Sequence, residues 1–177
     1  MSGRHIPTIL CIDDNIQLLA IRTQLLESRG YRVFATDDVE KAFSLVERES
    51  IDVVILDYRM RPIDGEGAAL GIKARKPALP IILLSGFPSR IPEHLLYLVD
   101  AFVPKGQPVA FLLSAIEAVV HTKLVKKPVQ SATPDGPAHA RQVLARSQNI
   151  IRRGERANRD NIASIQDYRR RSGRSGR

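Results

Sequence analysis

The stretch Val53-Val54-Ile55-Leu56-Asp57 constrains this chain more than its size or composition does. Four large apolar side chains in a row, with no polar alternation, cannot lie on a sheet with one wet face. They require a strand covered on both sides, the habit of a parallel sheet. Asp57 closes the run at the point where burial stops. In open parallel α/β sheets, ligands bind just beyond the carboxyl ends of the strands. Asp57 is therefore either the first solvated residue of a loop or the centre of a site.

The rest of the chain favours the same sheet. Five short apolar runs recur: TILCI (8–12), RVFAT (32–36), DVVIL (52–56), PIILL (80–84) and AFV (101–103). Segments with helical spacing separate them. Ile16, Leu19, Ala20, Leu25 and Leu26 mark the first, and Val39, Ala42, Phe43 and Val46 the second. Ala68, Leu70, Ile72 and Ala74 lie in a third with a poorly defined apolar face. Leu95, Leu96 and Val99 mark a fourth, and Val109, Leu112, Leu113, Ile116 and Val120 a fifth. Strand and helix alternate through about 120 residues, the pattern of a five-stranded, doubly wound parallel α/β sheet. Gly30 stops the first helix, and Pro77 and Pro80 end the third.

The chain holds 177 residues and one cysteine, Cys11, so no intramolecular disulfide forms and a cytoplasmic location is expected. Cys11, within TILCI, reads as a small buried residue. No apolar run approaches the length of a membrane span. Charge divides unevenly. Residues 1–120 hold 13 Lys+Arg against 15 Asp+Glu, whereas residues 121–177 hold 14 against 4. The basic character thus belongs to the tail. After His121 the segment KLVKKPVQSATPDGPAHA reads as a Pro-rich linker, giving a division into 1–121, a linker at 122–139 and a basic, partly helical tail at 140–177.

The first strand ends in Asp13-Asp14 and the third in Asp57. In a doubly wound sheet these ends are neighbours, so three carboxylates share one crevice. Two such charges about 4 Å apart repel by roughly 4 kcal/mol at an effective dielectric of about 20. A cation relieves that, and a few oxygen ligands with water suit Mg2+. Capping of the first helix by Asp13 or Asp14 is an ordinary alternative use for one of the pair, but it leaves the third carboxylate unexplained. The fourth strand ends in Ser85 and the fifth is followed by Lys105. A hydroxyl and an ammonium beside an acidic metal site fit an incoming phosphoryl group.

This constellation resembles the receiver domain of two-component response regulators, over about residues 7–121. The acid pair CIDDN, the acceptor in ILDYRMRPIDG, the hydroxyl in LLSG and the lysine in FVPKG fall in the family's order. The resemblance implies a flavodoxin-like fold and a phosphoacceptor that is not a conventional turnover enzyme. It implies that Asp57 takes a phosphoryl group from the phosphohistidine of a histidine kinase or phosphotransfer protein. Mg2+ would be held by Asp14, Asp57 and the backbone carbonyl of Arg59, with Asp13 acting through water. Ser85 and Lys105 would contact the phosphoryl oxygens, with Asp57 as in-line nucleophile. Ser85 and Phe102 occupy the switch positions, and Pro62 and Gly65 match the loop that shapes the rim. The switch would alter the face built by the fourth helix, fifth strand and fifth helix for a downstream protein partner. Moving a two-state domain from 1:99 to 99:1 needs roughly 5.5 kcal/mol. New hydrogen bonds to a charged group contribute about 1.5–3 kcal/mol each, so two suffice.

The sequence departs from that family at three places. Gly106 follows Lys105 where the family usually has Pro. Phe102 lacks the hydroxyl of the Tyr often found there. Arg59, Arg61 and Phe87 add bulk around the acceptor, which points to a long-lived phosphoryl state or a restricted choice of donors. The tail admits three readings: a solvated extension, a partner helix with a Val143/Leu144/Ile150/Ile151 stripe, or electrostatic attachment to nucleic acid or an anionic surface. Residues 140–177 contain no Phe or Trp, too little apolar bulk for an independently folded DNA reader. The competing function is a DNA-associated transcriptional regulator using the basic tail. A dehalogenase-type phosphatase fits poorly, because its nucleophilic Asp lies on the first strand in an acid pair two residues apart.

Overall fold

The computed structural model describes residues 5–61, 63–86 and 91–125. Five strands, β1 (Thr8–Ile12), β2 (Arg32–Thr36), β3 (Val53–Asp57), β4 (Ile81–Ser85) and β5 (Ala101–Pro104), form one parallel sheet in the order β2-β1-β3-β4-β5. The helices are α1 (Ile16–Ser28), α2 (Val39–Arg48), α3 (Gly65–Arg75) and α4 (Val109–Val125), with a 3-10 turn at Glu93–Tyr97. The strand order changes direction at β1, which lies between β2 and the central strand β3, and this brings Asp13 next to Asp57.

The unbroken apolar runs are explained by two cores, one on each face of the sheet. Leu10 and Ile12 of β1, Val54 and Leu56 of β3, and Ile81 and Leu83 of β4 join the cluster under α2, α3 and the 3-10 turn. Their neighbours Ile9 and Cys11, Val53 and Ile55, Ile82 and Leu84 join the cluster under α1 and α4. The two-residue period thus sorts every central strand onto two apolar layers. Cys11 is fully buried, and burial pushes its thiol pKa up to about 12, so it is an inert core residue.

Helix ends follow local chemistry. Asn15 caps α1, its side-chain oxygen accepting from the Leu18 amide. Neither aspartate of the acid pair is spent on this task, so the capping expectation for Asp13 or Asp14 is corrected in favour of Asn15. Asp38 and Asp64 cap α2 and α3. Gly30, at φ 84°, takes the left-handed position after α1, with its amide on Glu27 O and the Tyr31 amide on Leu26 O.

Two elements differ from the sequence pattern. The expected fourth helix is only the 3-10 turn Glu93–Tyr97. Pro92 stands at its start, and the Leu95 and Leu98 amides bond three residues back, to Pro92 O and Leu95 O. Leu95, Leu96 and Val99 are nonetheless buried, so one tight turn satisfies the apolar triplet. The last helix, α4, runs to Val125, past His121 and into the segment read as linker. The tail beyond it, with its expected helical stripe, lies outside the described residues. No helix among the described residues is long and apolar enough to cross a membrane.

Candidate acidic active site

Three strand ends and one loop build the site. β1 delivers Asp13, which is fully buried, and then the exposed Asp14. β3 delivers Asp57, 2% exposed. One carboxylate oxygen from each of the three lies within 4.8 Å of the other two, the one such metal-sized cluster among the described residues. β4 ends in Ser85, buried beside Pro104 of β5. The Lys105 amide donates to Ser85 O at 2.7 Å, which locks the lysine loop to the end of β4. Gly106 follows at φ 85°, a backbone position suited to glycine.

Lys105 reaches across the rim. Its Nζ lies 2.8 Å from Asp57 Oδ2 and 3.7 Å from Asp13 Oδ2. Asp57 Oδ1, by contrast, is buried and makes no hydrogen bond among the described residues. Desolvation dominates this carboxyl and raises its pKa above the ordinary 3.8. The Lys105 ammonium pulls it back down, Asp13 pushes it up, and the Arg59 backbone amide lowers it slightly. A buried carboxylate oxygen without a hydrogen bond, on a residue clustered with two more carboxylates, is an arrangement that a hard cation completes with oxygen ligands alone. The residues present therefore fit Mg2+.

The acceptor loop is held by close backbone packing. The Tyr58 amide donates to Leu84 O at 2.9 Å, and the Gly65 amide to Tyr58 O at 2.9 Å. A Cβ on Gly65 would stand 2.6 Å from Asp57 O and 2.7 Å from Tyr58 Cα. Glycine is what lets α3 begin against the residue that follows the acceptor. Arg59 and Arg61 are exposed on this loop. Phe102, half-buried on β5 opposite Leu83, packs against the core under α2 and α3. Pro62 and Phe87 lie outside the described residues.

Sequence reasoning missed one participant. Arg22 of α1 donates from Nη2 to Asp13 Oδ2 at 3.0 Å, with only 11% of its side chain exposed. Its position could have been noticed: Leu19, Arg22 and Leu26 stand three and four residues apart, so the arginine falls within the helix's buried stripe.

Comparison with known proteins places the chain in a family and a fold. The family model of the response regulator receiver domain matches residues 9–117. The chain is 30% identical over 132 residues to the transcriptional regulatory protein ZraR of Klebsiella oxytoca, which covers 73% of this chain and 30% of that protein. It is 34% identical over 84 residues to the sensor protein GacS of Pseudomonas syringae, covering 45% of this chain and 9% of that one. The chain therefore spans under a third of either relative. Among solved structures, a response regulator receiver domain protein from Clostridium thermocellum superposes with a TM-score of 0.63 at 26% identity, covering 68% of this chain and 98% of that one. The response regulator TrrA of Thermotoga maritima, in complex with Mg2+ and BeF, gives 0.58 at 25% identity, over 64% and 99%. The family model spans more than half of the chain, and this chain belongs to the response regulator receiver domain family.

Proposed function

We propose that Asp57 accepts a phosphoryl group from the phosphohistidine of a histidine kinase or phosphotransfer protein. The observation that carries this is the state of its carboxylate: buried, bonded on Oδ2 to Lys105, and with Oδ1 making no hydrogen bond among the described residues. Phosphorylation and Mg2+ binding are general features of the family, and a sensor protein is among the relatives. Asp57 attacks phosphorus in line. The new bond is carboxylate oxygen to phosphorus, the broken one is phosphorus to imidazole nitrogen, and the donor histidine leaves with the electron pair. Asp14, Asp57 and the Arg59 carbonyl would hold Mg2+, with Asp13 behind a water. Bound there, the ion would neutralise charge on the phosphoryl oxygens. Lys105 exchanges its bond to Asp57 for one to a phosphoryl oxygen, Ser85 donates to another, and Phe102 moves inward behind Ser85.

Those new bonds change the surface beside β5 that a downstream protein would read. With a 3-10 turn in place of a full helix before β5, that surface is built chiefly from β5 and α4. Intact-mass measurement after incubation with Mg2+ and a small phosphodonor tests the acceptor chemistry. The wild type gains one phosphoryl group and Asp57→Asn gains none; equal gain in both would defeat the proposal. Arg59 and Arg61 at the rim support a long-lived phosphoryl state, and loss of the added mass within seconds would contradict that part.

A second reading rests on charge. Residues 121–177 carry 14 Lys+Arg against 4 Asp+Glu, and several relatives are named transcriptional regulatory proteins. In this reading the basic segment attaches the receiver to DNA phosphates. Gel shifts with duplex DNA across a salt series decide it: binding that weakens steeply with salt supports attachment, and binding absent even at low salt removes it.

A further inference from the structure

Among the described residues, Arg22 is the one charged side chain of the acidic site that the phosphoacceptor reading leaves without a task. It comes from α1, whereas Lys105 comes from the loop after β5. Asp13 Oδ2 receives Arg22 Nη2 at 3.0 Å and has Lys105 Nζ at 3.7 Å, while Asp13 Oδ1 accepts from the Asn15 amide at 3.0 Å. Asp13 is thus held from three directions. Arg22 Nη1 is buried and makes no hydrogen bond among the described residues. An arginine is a permanent charge and cannot withdraw by losing its proton. The site therefore sets three carboxylates against two fixed or strongly held cations before any metal arrives.

We infer that Arg22 is a positioning residue that acts as a resident cation of the acidic site, fixing Asp13 and holding Mg2+ affinity down. This rests on the phosphoacceptor reading above. The sign follows from a comparison of two effects. Arg22 repels a dication drawn to the same carboxylates. At an effective dielectric of about 20, a unit charge within roughly 8 Å of a dication weakens its binding by more than tenfold. Arg22 also orients Asp13, which would favour the metal. That second effect is small here, because Asp13 keeps the Asn15 amide and Lys105 as partners when Arg22 is gone. Repulsion wins. The consequence is a receiver whose site is pre-neutralised at rest. Its Mg2+ occupancy, and with it phosphoryl uptake, would respond to Mg2+ concentration over a higher range than three unopposed carboxylates allow.

Isothermal titration of Mg2+ into the full chain tests this without reference to activity. Arg22→Gln removes the charge and retains an amide donor, while Arg22→Lys keeps the charge. Arg22→Met keeps apolar bulk between Leu19 and Leu26 and serves should the glutamine variant fail to fold. The expected result is Mg2+ binding at least tenfold tighter in Arg22→Gln and Arg22→Met than in the wild type, with Arg22→Lys within about threefold of it. Melting curves with and without Mg2+ give the same order, with the largest Mg2+-induced shift in the neutral variants. Neutral variants that bind Mg2+ as the wild type does, or more weakly, would overturn the inference and leave Arg22 a structural tether of Asp13. Absence of Mg2+ binding in the wild type, matching Asp14→Asn and Asp57→Asn controls, would instead overturn the phosphoacceptor reading on which it rests.

Discussion

Asp57 is held in a conflict that the fold maintains. Burial opposes its charge, Lys105 favours it, and the balance leaves its pKa raised. For a carboxyl raised above its unfolded value, the contribution to stability is complete below that unfolded value, near 3.8. It is lost as pH rises through the folded pKa. At neutral pH the ionised Asp57 therefore detracts from stability when no cation is bound. Asp57→Asn is expected to melt above the wild type in chelator at pH 8, and the gap should close as pH falls through the carboxylate range. A wild type more stable than the variant across that range would show that the Lys105 pair outweighs desolvation. Gly65 makes a different kind of contribution. Its missing Cβ leaves room for the Asp57 carbonyl and Tyr58 Cα, both under 3 Å from where that atom would sit. Gly65→Ala should cost about 1–3 kcal/mol by urea unfolding. It should also weaken Mg2+ binding, because the backbone that must move carries the acceptor. The motif letters at 13, 14, 57 and 105 showed in sequence which residues meet. They did not show that Asn15 takes over helix capping, or that Arg22 occupies the site from the helix side. Capping depends on backbone angles, and an arginine on a helix with apolar residues all round, Ile16, Leu18 and Ile21 among the exposed ones, declares itself only once the stripe it shares with Leu19 and Leu26 is seen to be buried.

Among the elements, the strands were the most legible and the segment before β5 the least. Strands covered on both faces need uninterrupted apolar runs, and β1, β3 and β4 have them at TILCI, VVIL and IILL. A short apolar triplet such as Leu95, Leu96 and Val99 fits one tight turn as well as the start of a helix. Only packing decides, and here it selects the 3-10 turn. The third helix looked ill-defined because its contact face is made mostly of small residues: Gly65, Ala68 and Ala69 are buried with Ile72, whereas Leu70 is exposed. The reason lies in α2. A Cβ on Gly71 would come within 2.3 Å of the Phe43 ring, which Arg75 covers with its guanidinium 4.1 Å from the centroid. Gly71→Ala is accordingly expected to lower stability by about 1–3 kcal/mol through displacement of Phe43. Helix propensity alone predicts a gain for the same change. The direction of the urea midpoint distinguishes packing from propensity.

At the scale of the whole molecule, the sheet order β2-β1-β3-β4-β5 is what turns separate sequence motifs into one site. Asp13, Asp57, Ser85 and Lys105 stand at the ends of, or just beyond, neighbouring strands, and the same edge carries Asp14. Away from that edge, Lys73 ties α3 to Asp100 at 3.2 Å and to Leu79 O at 2.8 Å, closing the opposite end of β4 and β5. The rim is therefore free to change its bonds while the base of the sheet stays fixed. Chemical mapping of the acceptor decides whether Asp57 carries the phosphoryl group. The chain would be phosphorylated with Mg2+ and a phosphohistidine donor, reduced with borohydride to convert an acyl phosphate to homoserine, and digested. Homoserine at position 57 alone is the result predicted. Homoserine at 13 or 14, or a phosphorylated chain that yields none, would contradict the account.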